Sequence, residues 1–129
     1  RGINKTLKKE VIHMFDISEQ DFSTFVSTHV DSFDPLVLKQ MPVKEKRKYM
    51  VLCMVIHLFE TNRIYHEREI NQILKPVAED YVMIRRYLID YQFMARKDDG
   101  TSYWLLKDPK DFQAFNLKSR TDLTPIQTK

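Results

Sequence analysis

Apolar residues at Tyr81, Ile84, Leu88 and Tyr91 recur at three-and-four spacing, which puts them on one face of a helix between Asp80 and Tyr91. Two short apolar runs follow, Phe93 to Ala95 and Tyr103 to Leu106, joined through Asp99-Gly100. That dipeptide supplies the positive φ values of a tight hairpin turn. A helix feeding straight into a hairpin predicts the recognition helix and wing of a winged helix-turn-helix.

The rest of the chain is organised around that unit. Thr6 to Phe15 predicts a short helix with Leu7, Val11 and Met14 or Phe15 on one side. Ser18 followed by Asp21 has the spacing of a helix cap, in which the Ser hydroxyl accepts an otherwise unpaired backbone N–H. The helix it starts carries Phe22, Phe25, Val26, His29, Val30 and Phe33, and is expected to run until Asp34-Pro35. Lys44 to Glu60 predicts the longest helix, with MVLCMVIHLF apolar nearly all round and therefore central to the core. Ile64-Tyr65 is a strand candidate, Glu67 to Leu74 a two-turn helix stopped by Pro76, and Pro76 to Glu79 the turn of a helix-turn-helix. Asp108-Pro109 makes a helix start ahead of Phe112, Phe115 and Leu117, and beyond Ser119 the polar tail is expected to fray.

The pattern therefore predicts a mainly α fold with a small β-hairpin. A winged helix-turn-helix spans 41–107, with an N-terminal helical extension over 1–40 and a C-terminal helix and tail over 108–129. A minimal winged helix has no place for the apolar helices at either end, so they are expected to form the interface of a homodimer.

Composition narrows the function classes. Hydrophobic content of 43% with 30% charged residues describes an ordinary globular chain. No run approaches the length of a spanning helix, and the charged start RGINKTLKKE lacks the apolar stretch of a signal peptide, so a cytoplasmic protein without membrane contact is expected. The chain opens on Arg1 without an initiator Met, from which a trimmed N-terminus is expected. The single cysteine, Cys53, excludes an internal disulfide. Net charge is +3 and uneven: Val43 to Lys107 holds twelve Lys/Arg against nine Asp/Glu, while residues 1–42 hold five against six. That permits nucleic-acid binding without demanding it.

Candidate chemistry concentrates on the predicted recognition helix. At 100° per residue, Glu79, Met83, Arg86, Tyr87 and Asp90 fall on its outward side. Met83, Arg86 and Tyr87 are candidates for bases or phosphates in a major groove. The bland alternative is a solvated face, which Glu79 and Asp90 favour. Arg85 lies beside the apolar face instead, where an ion pair with Glu67 or Glu69 is expected. In the wing, Arg96 and Lys97 can meet phosphates, although Asp98-Asp99 at the tip would be repelled by them. Lys44, Lys46, Arg47 and Lys48 form the densest basic run and could position a duplex backbone from a helix start; most such runs are simply solvated. Tyr81, Tyr91, Tyr103 and Trp104 read first as core that anchors a small hairpin. Cys53 and His57 stand four apart on one helix, but His13, His29 and His66 complete no ligand spacing, so no metal or other cofactor is expected. No Gly-rich phosphate loop, nucleophile motif or paired carboxylates are present, and an enzyme is not expected.

Over Met41 to Leu106 the sequence resembles a bacterial domain-of-unknown-function family, numbered twenty eighty-seven, found alone or fused behind ArsR-type regulators. The resemblance is carried by Asp80, Ile84, Arg85, Arg86, Leu88, Ile89, Asp90 and Tyr91. Tyr65, Glu67, Glu69, Ile70 and Asn71 form a second motif, and Arg96 with Tyr103-Trp104 a third. It implies a winged-helix-like domain of transcriptional regulators and carries no established biochemical activity. Two positions depart from the family pattern: His66 stands where Thr is usual, a poorer helix cap, and Gln92 where Gly is usual, at a cost on the order of 1 kcal/mol for a left-handed helix end. The expected function is a DNA-binding transcriptional regulator, or an accessory domain of one, acting on double-stranded DNA. The alternatives are a protein-interaction module of the same shape and, more remotely, a small-molecule or metal sensor whose effector the sequence does not name.

Overall fold

In the computed structural model, which describes residues 15–116, the first helix starts from a reciprocal cap. The Ser18 hydroxyl accepts from the Asp21 N–H at 3.0 Å, and the Asp21 carboxylate accepts from the Ser18 N–H at 3.2 Å. The helix expected over Thr6 to Phe15, apart from Phe15 itself, and the tail beyond Ser119 lie outside the described residues.

Helix α1 covers Glu19–His29 and does not continue to Phe33 as the spacing predicts. Instead the chain forms an antiparallel hairpin, β1 (Val30–Phe33) against β2 (Leu36–Leu38), with Asp34-Pro35 at its turn. Short apolar runs do not distinguish a helix from a strand by spacing alone. Here the deciding features are the β-branched Val30 and the run Leu36 to Leu38, whose leucines are buried with Val30. The Ser32 hydroxyl closes the turn by donating to the Pro35 carbonyl at 2.7 Å.

Helix α2 (Glu45–Val55) is the core helix: every residue from Tyr49 to Ile56 is buried. It tightens into a 3₁₀ turn, Ile56–Leu58, short of the expected end at Glu60. Phe59 is drawn into the core edge-on to Tyr65, and the Glu60 N–H donates to the Tyr65 hydroxyl at 2.8 Å. Then follow β3 (Tyr65–His66), α3 (Glu67–Leu74), α4 (Tyr81–Asp90), β4 (Met94–Arg96) and β5 (Ser102–Leu105). The three strands form one antiparallel sheet in the order β3-β5-β4, with Tyr65 opposite Tyr103 and Arg96 opposite Tyr103 on the other side. The arrangement is a small mixed α/β one: helices with two small antiparallel sheets, one more than the single hairpin expected.

Both departures from the family pattern have local solutions. The His66 ring caps α3 after all, its Nδ1 accepting from the Arg68 N–H at 3.2 Å while Glu69 accepts from the His66 N–H at 2.8 Å. Gln92 adopts the left-handed conformation itself, at φ +62°. The α4 terminus closes there with Phe93 N–H on the Leu88 carbonyl at 2.9 Å and Gln92 N–H on the Ile89 carbonyl at 3.0 Å, the paired bonds of a Schellman end.

The segment Pro109–Phe115 forms 3₁₀ turns broken at Phe112 rather than a regular helix, started by the Asp108 carboxylate accepting from the Lys110 N–H at 2.9 Å. Phe115 packs edge-on to Phe22 of α1 at 4.9 Å, and Phe112 lies 5.5 Å from Phe93. The extensions expected to form a dimer interface thus bury Phe22, Phe25, Val26, Phe112 and Phe115 within the one chain.

Candidate nucleic-acid interface

Helix α4 presents Ile84 and Leu88 to the core with no exposed surface, and Tyr81 and Tyr91 lie half-buried beside them. On the opposite side Val82, Arg86 and Asp90 are exposed, with Met83 half-buried. Arg86 therefore stands on the outward face that its position predicts. Tyr87 does not: it is half-buried, edge-on to Tyr91 at 6.1 Å, with the Lys48 ammonium 4.9 Å from its ring centroid. Its ring packs on its i,i+4 neighbour Tyr91 and meets the start of α2 through Lys48.

That contact also changes the basic run. The hydrogen bond to Tyr87 raises the Lys48 pKa, with a further push from Glu45 at 3.6 Å, and only 17% of the Lys48 side chain is exposed. Lys46 is held by Asp21 at 2.8 Å, which in turn keeps the Asp21 carboxyl below its usual range. Asp21 so joins the cap of α1 to the first turn of α2. Arg47 is half-buried, and Lys44, at the N-cap of α2, is exposed. The run that reads as one basic patch is divided between intramolecular pairs and solvent.

The Arg85 guanidinium donates to the side-chain carbonyl of Asn71 and stands 3.9 Å from the Glu67 carboxylate. Glu67 also accepts from the Tyr103 hydroxyl at 2.8 Å, and it joins burial in raising the Tyr103 pKa. A polar spine consequently runs from α4 through α3 to β5. Glu69 takes no part: it caps α3 and pairs with Arg63 at 3.2 Å, contacts that lower its pKa. Sequence reading did not assign Asn71 or the Tyr103–Glu67 bond, although the four-residue spacing of Glu67 and Asn71 puts both on one face of α3. Tyr103 is buried and Trp104 half-buried.

At the hairpin tip only Gly100 has positive φ, +76°; Asp99 does not share it, so the turn is not the two-residue type expected. The Gly100 N–H donates to the Lys97 carbonyl at 2.9 Å, and Asp99 accepts from both the N–H and the hydroxyl of Thr101. Arg96 folds over this turn, donating to the carbonyls of Lys97 and Asp98 at 3.1 and 3.3 Å, its Nη1 only 3.3 Å from where a Gly100 Cβ would sit. It braces the hairpin turn. Lys97 is exposed. Between α4 and the hairpin lies a polar groove of about 440 Å³, lined by the basic Arg85, Arg86 and Arg96 and the acidic Glu67, Asp90 and Asp99.

Cys53 is fully buried, with burial pushing its thiol pKa well up, and His57 is hydrogen-bonded to the Phe112 carbonyl. Among the described residues no group of three potential ligands gathers, and no helix is long and apolar enough to cross a membrane.

Residues 37–105, more than half of the chain, match the family described as uncharacterized protein conserved in bacteria, DUF2087. No curated protein and no solved structure matches the chain.

Proposed function

We propose, for a chain that belongs to the DUF2087 family of uncharacterized bacterial proteins, a winged helix-turn-helix that acts in the cytoplasm as a DNA-binding transcriptional regulator or an accessory domain of one. The observation that carries the reading is the order α2-β3-α3-turn-α4-β4-β5 with β5 between β3 and β4, which leaves one face of α4 outside the core with Val82 and Arg86 exposed. In this arrangement α4 enters the major groove of double-stranded DNA, Arg86 meets bases or phosphates, and Lys97 and Lys44 reach the flanking backbone. Two copies on a two-fold site would double the contact.

A second reading, a protein-interaction module, is favoured by the acids that ring the same face. Glu79, Asp80, Asp90, Asp98 and Asp99 are all exposed, and each opposes a phosphate.

Fluorescence anisotropy on random-sequence duplex DNA across a salt series separates the two. The DNA reading expects affinity that falls steeply between about 50 and about 200 mM salt. No binding at the low end of that series overturns it and leaves the interaction module.

A further inference from the structure

A mostly apolar pocket of about 200 Å³, partly open to solvent, lies where the first hairpin, α2, α3 and the 109–115 segment meet. Phe33 and Leu36 of the first hairpin, Met54 of α2, Ile73 of α3, Val77 of the turn and Phe115 form its walls. These walls meet where the Leu38 N–H donates to the Val77 carbonyl at 2.8 Å, so the cavity joins the N-terminal hairpin to the α3–α4 turn.

One wall is polar. The Nε2 of His57 lies 2.8 Å from the Phe112 carbonyl oxygen. A carbonyl only accepts, so Nε2 carries the proton and Nδ1 is left as the acceptor of the ring. Burial lowers the pKa of this imidazole from its ordinary value, which keeps it neutral near pH 7.

We propose that this cavity binds a small uncharged molecule built on one compact ring system and bearing a single N–H or O–H donor. Although partly open to solvent, the pocket is on the volume scale of engineered cavities of about 150 Å³, lined by aliphatic and aromatic side chains, that take up benzene. Ligand sites combine such walls with a few polar groups that set orientation, and the neutral His57 supplies an acceptor of this kind. An anionic ligand is disfavoured because most of the lining is apolar and the lining includes the Asp34 carboxylate. An occupant touches the hairpin and the helix-turn-helix corner at once, so it stabilises the folded chain by mass action. The proposal is independent of whether α4 meets DNA.

The test is a titration of the full chain with indole, followed by carbon-detected methyl shifts and by thermal melts without DNA. Indole is expected to give saturable shifts at Met54, Ile73 and Val77, to leave the exposed Val43 and Leu106 unmoved, and to raise the melting temperature. Benzoate, ring-sized but anionic, is expected to bind at least about tenfold more weakly, as desolvating an unpaired carboxylate requires. Ile73→Trp, which fills the cavity, should abolish the indole shifts while retaining a cooperative melt; should that variant fail to fold, the shift map of the parent chain still decides. Absence of saturable shifts with indole, shifts of equal size at Val43 and Leu106, or benzoate binding as tightly as indole would each overturn the proposal.

Discussion

The side chains of Arg85 and Asn71 are hydrogen-bonded across the corner between α3 and α4, with the Glu67 carboxylate 3.9 Å from the same guanidinium. Only 18% of the Arg85 side chain is exposed, so its removal strips two partly buried acceptors of a donor. Arg85→Ala is expected to lower stability by about 1–3 kcal/mol, read as an earlier urea midpoint. Asn71→Ala should give much of the same loss, and the double variant should fall short of the sum because the two residues share one contact.

The left-handed end of α4 offers the opposite sign. Gln92 holds φ +62° without the freedom of glycine, while the bonds from Phe93 and Gln92 back to Leu88 and Ile89 depend only on the backbone. Gln92→Gly is therefore expected to raise stability by about 0.5–1 kcal/mol, the cost of a side chain in this region exceeding the extra entropy of an unfolded glycine. Urea melts of parent and variant check it; an unchanged or lower midpoint would show that the Gln92 side chain contributes contacts that offset the strain.

What the sequence made legible depended on the range of the interaction. The span of α3, Glu67–Leu74, agrees with the pattern because its limits are local, a capping position and Pro76. The first hairpin did not declare itself, since Val30 and Phe33 continue the helical spacing of Phe22 and Phe25 and nothing local marks His29 as an end. The contact between Tyr87 and Lys48 leaves no mark on the pattern of either helix. Their pairing depends on how the start of α2 crosses α4, and the Lys46–Asp21 bridge spans 25 residues in the same way. Arg96 has a nearer partner: its own turn offers two carbonyls, which charge alone does not reveal.

Cys53 should be chemically silent. It has no exposed surface, and burial raises its thiol pKa well above the ordinary value, so little thiolate forms and no reagent reaches it. In the native protein a thiol reagent should label it only at the rate of global unfolding, with full labelling in denaturant. Labelling within the mixing time under native conditions would contradict the packing around α2.

Acid should weaken the fold through His57. Its pKa is lowered by burial, outweighing the Phe112 carbonyl, which raises it; the unfolded imidazole titrates near 6.5. Below that value the unfolded chain takes up a proton that the folded chain accepts only at lower pH. The stabilisation is full above the unfolded pKa and is lost as pH falls through the folded one. His29, lowered chiefly by burial and then by Arg47, adds to the slope in the same direction. His57→Gln, which keeps an N–H for Phe112, should leave a shallower fall in melting temperature between about pH 7.5 and pH 5. An undiminished slope would assign the acid sensitivity to other groups.

The outward face of α4 provides the sharpest test of function, because Arg86 is adjacent to Arg85 in sequence and 100° away on the helix. Arg86 is exposed, so Arg86→Ala should leave stability within about 0.5 kcal/mol of the parent. If α4 docks on DNA, the same change should weaken binding and reduce the slope of log affinity against log salt by about one ion. Arg96→Ala should behave differently again. Its guanidinium braces the hairpin turn, so the change should loosen the hairpin and lower stability by about 0.5–1.5 kcal/mol, through its two carbonyl bonds, before it alters the salt slope. Urea melts and anisotropy on both variants decide among the readings. An Arg86→Ala protein with unchanged stability and an unchanged salt slope would remove α4 from the DNA interface and leave the acidic, protein-facing reading of that surface as the better one.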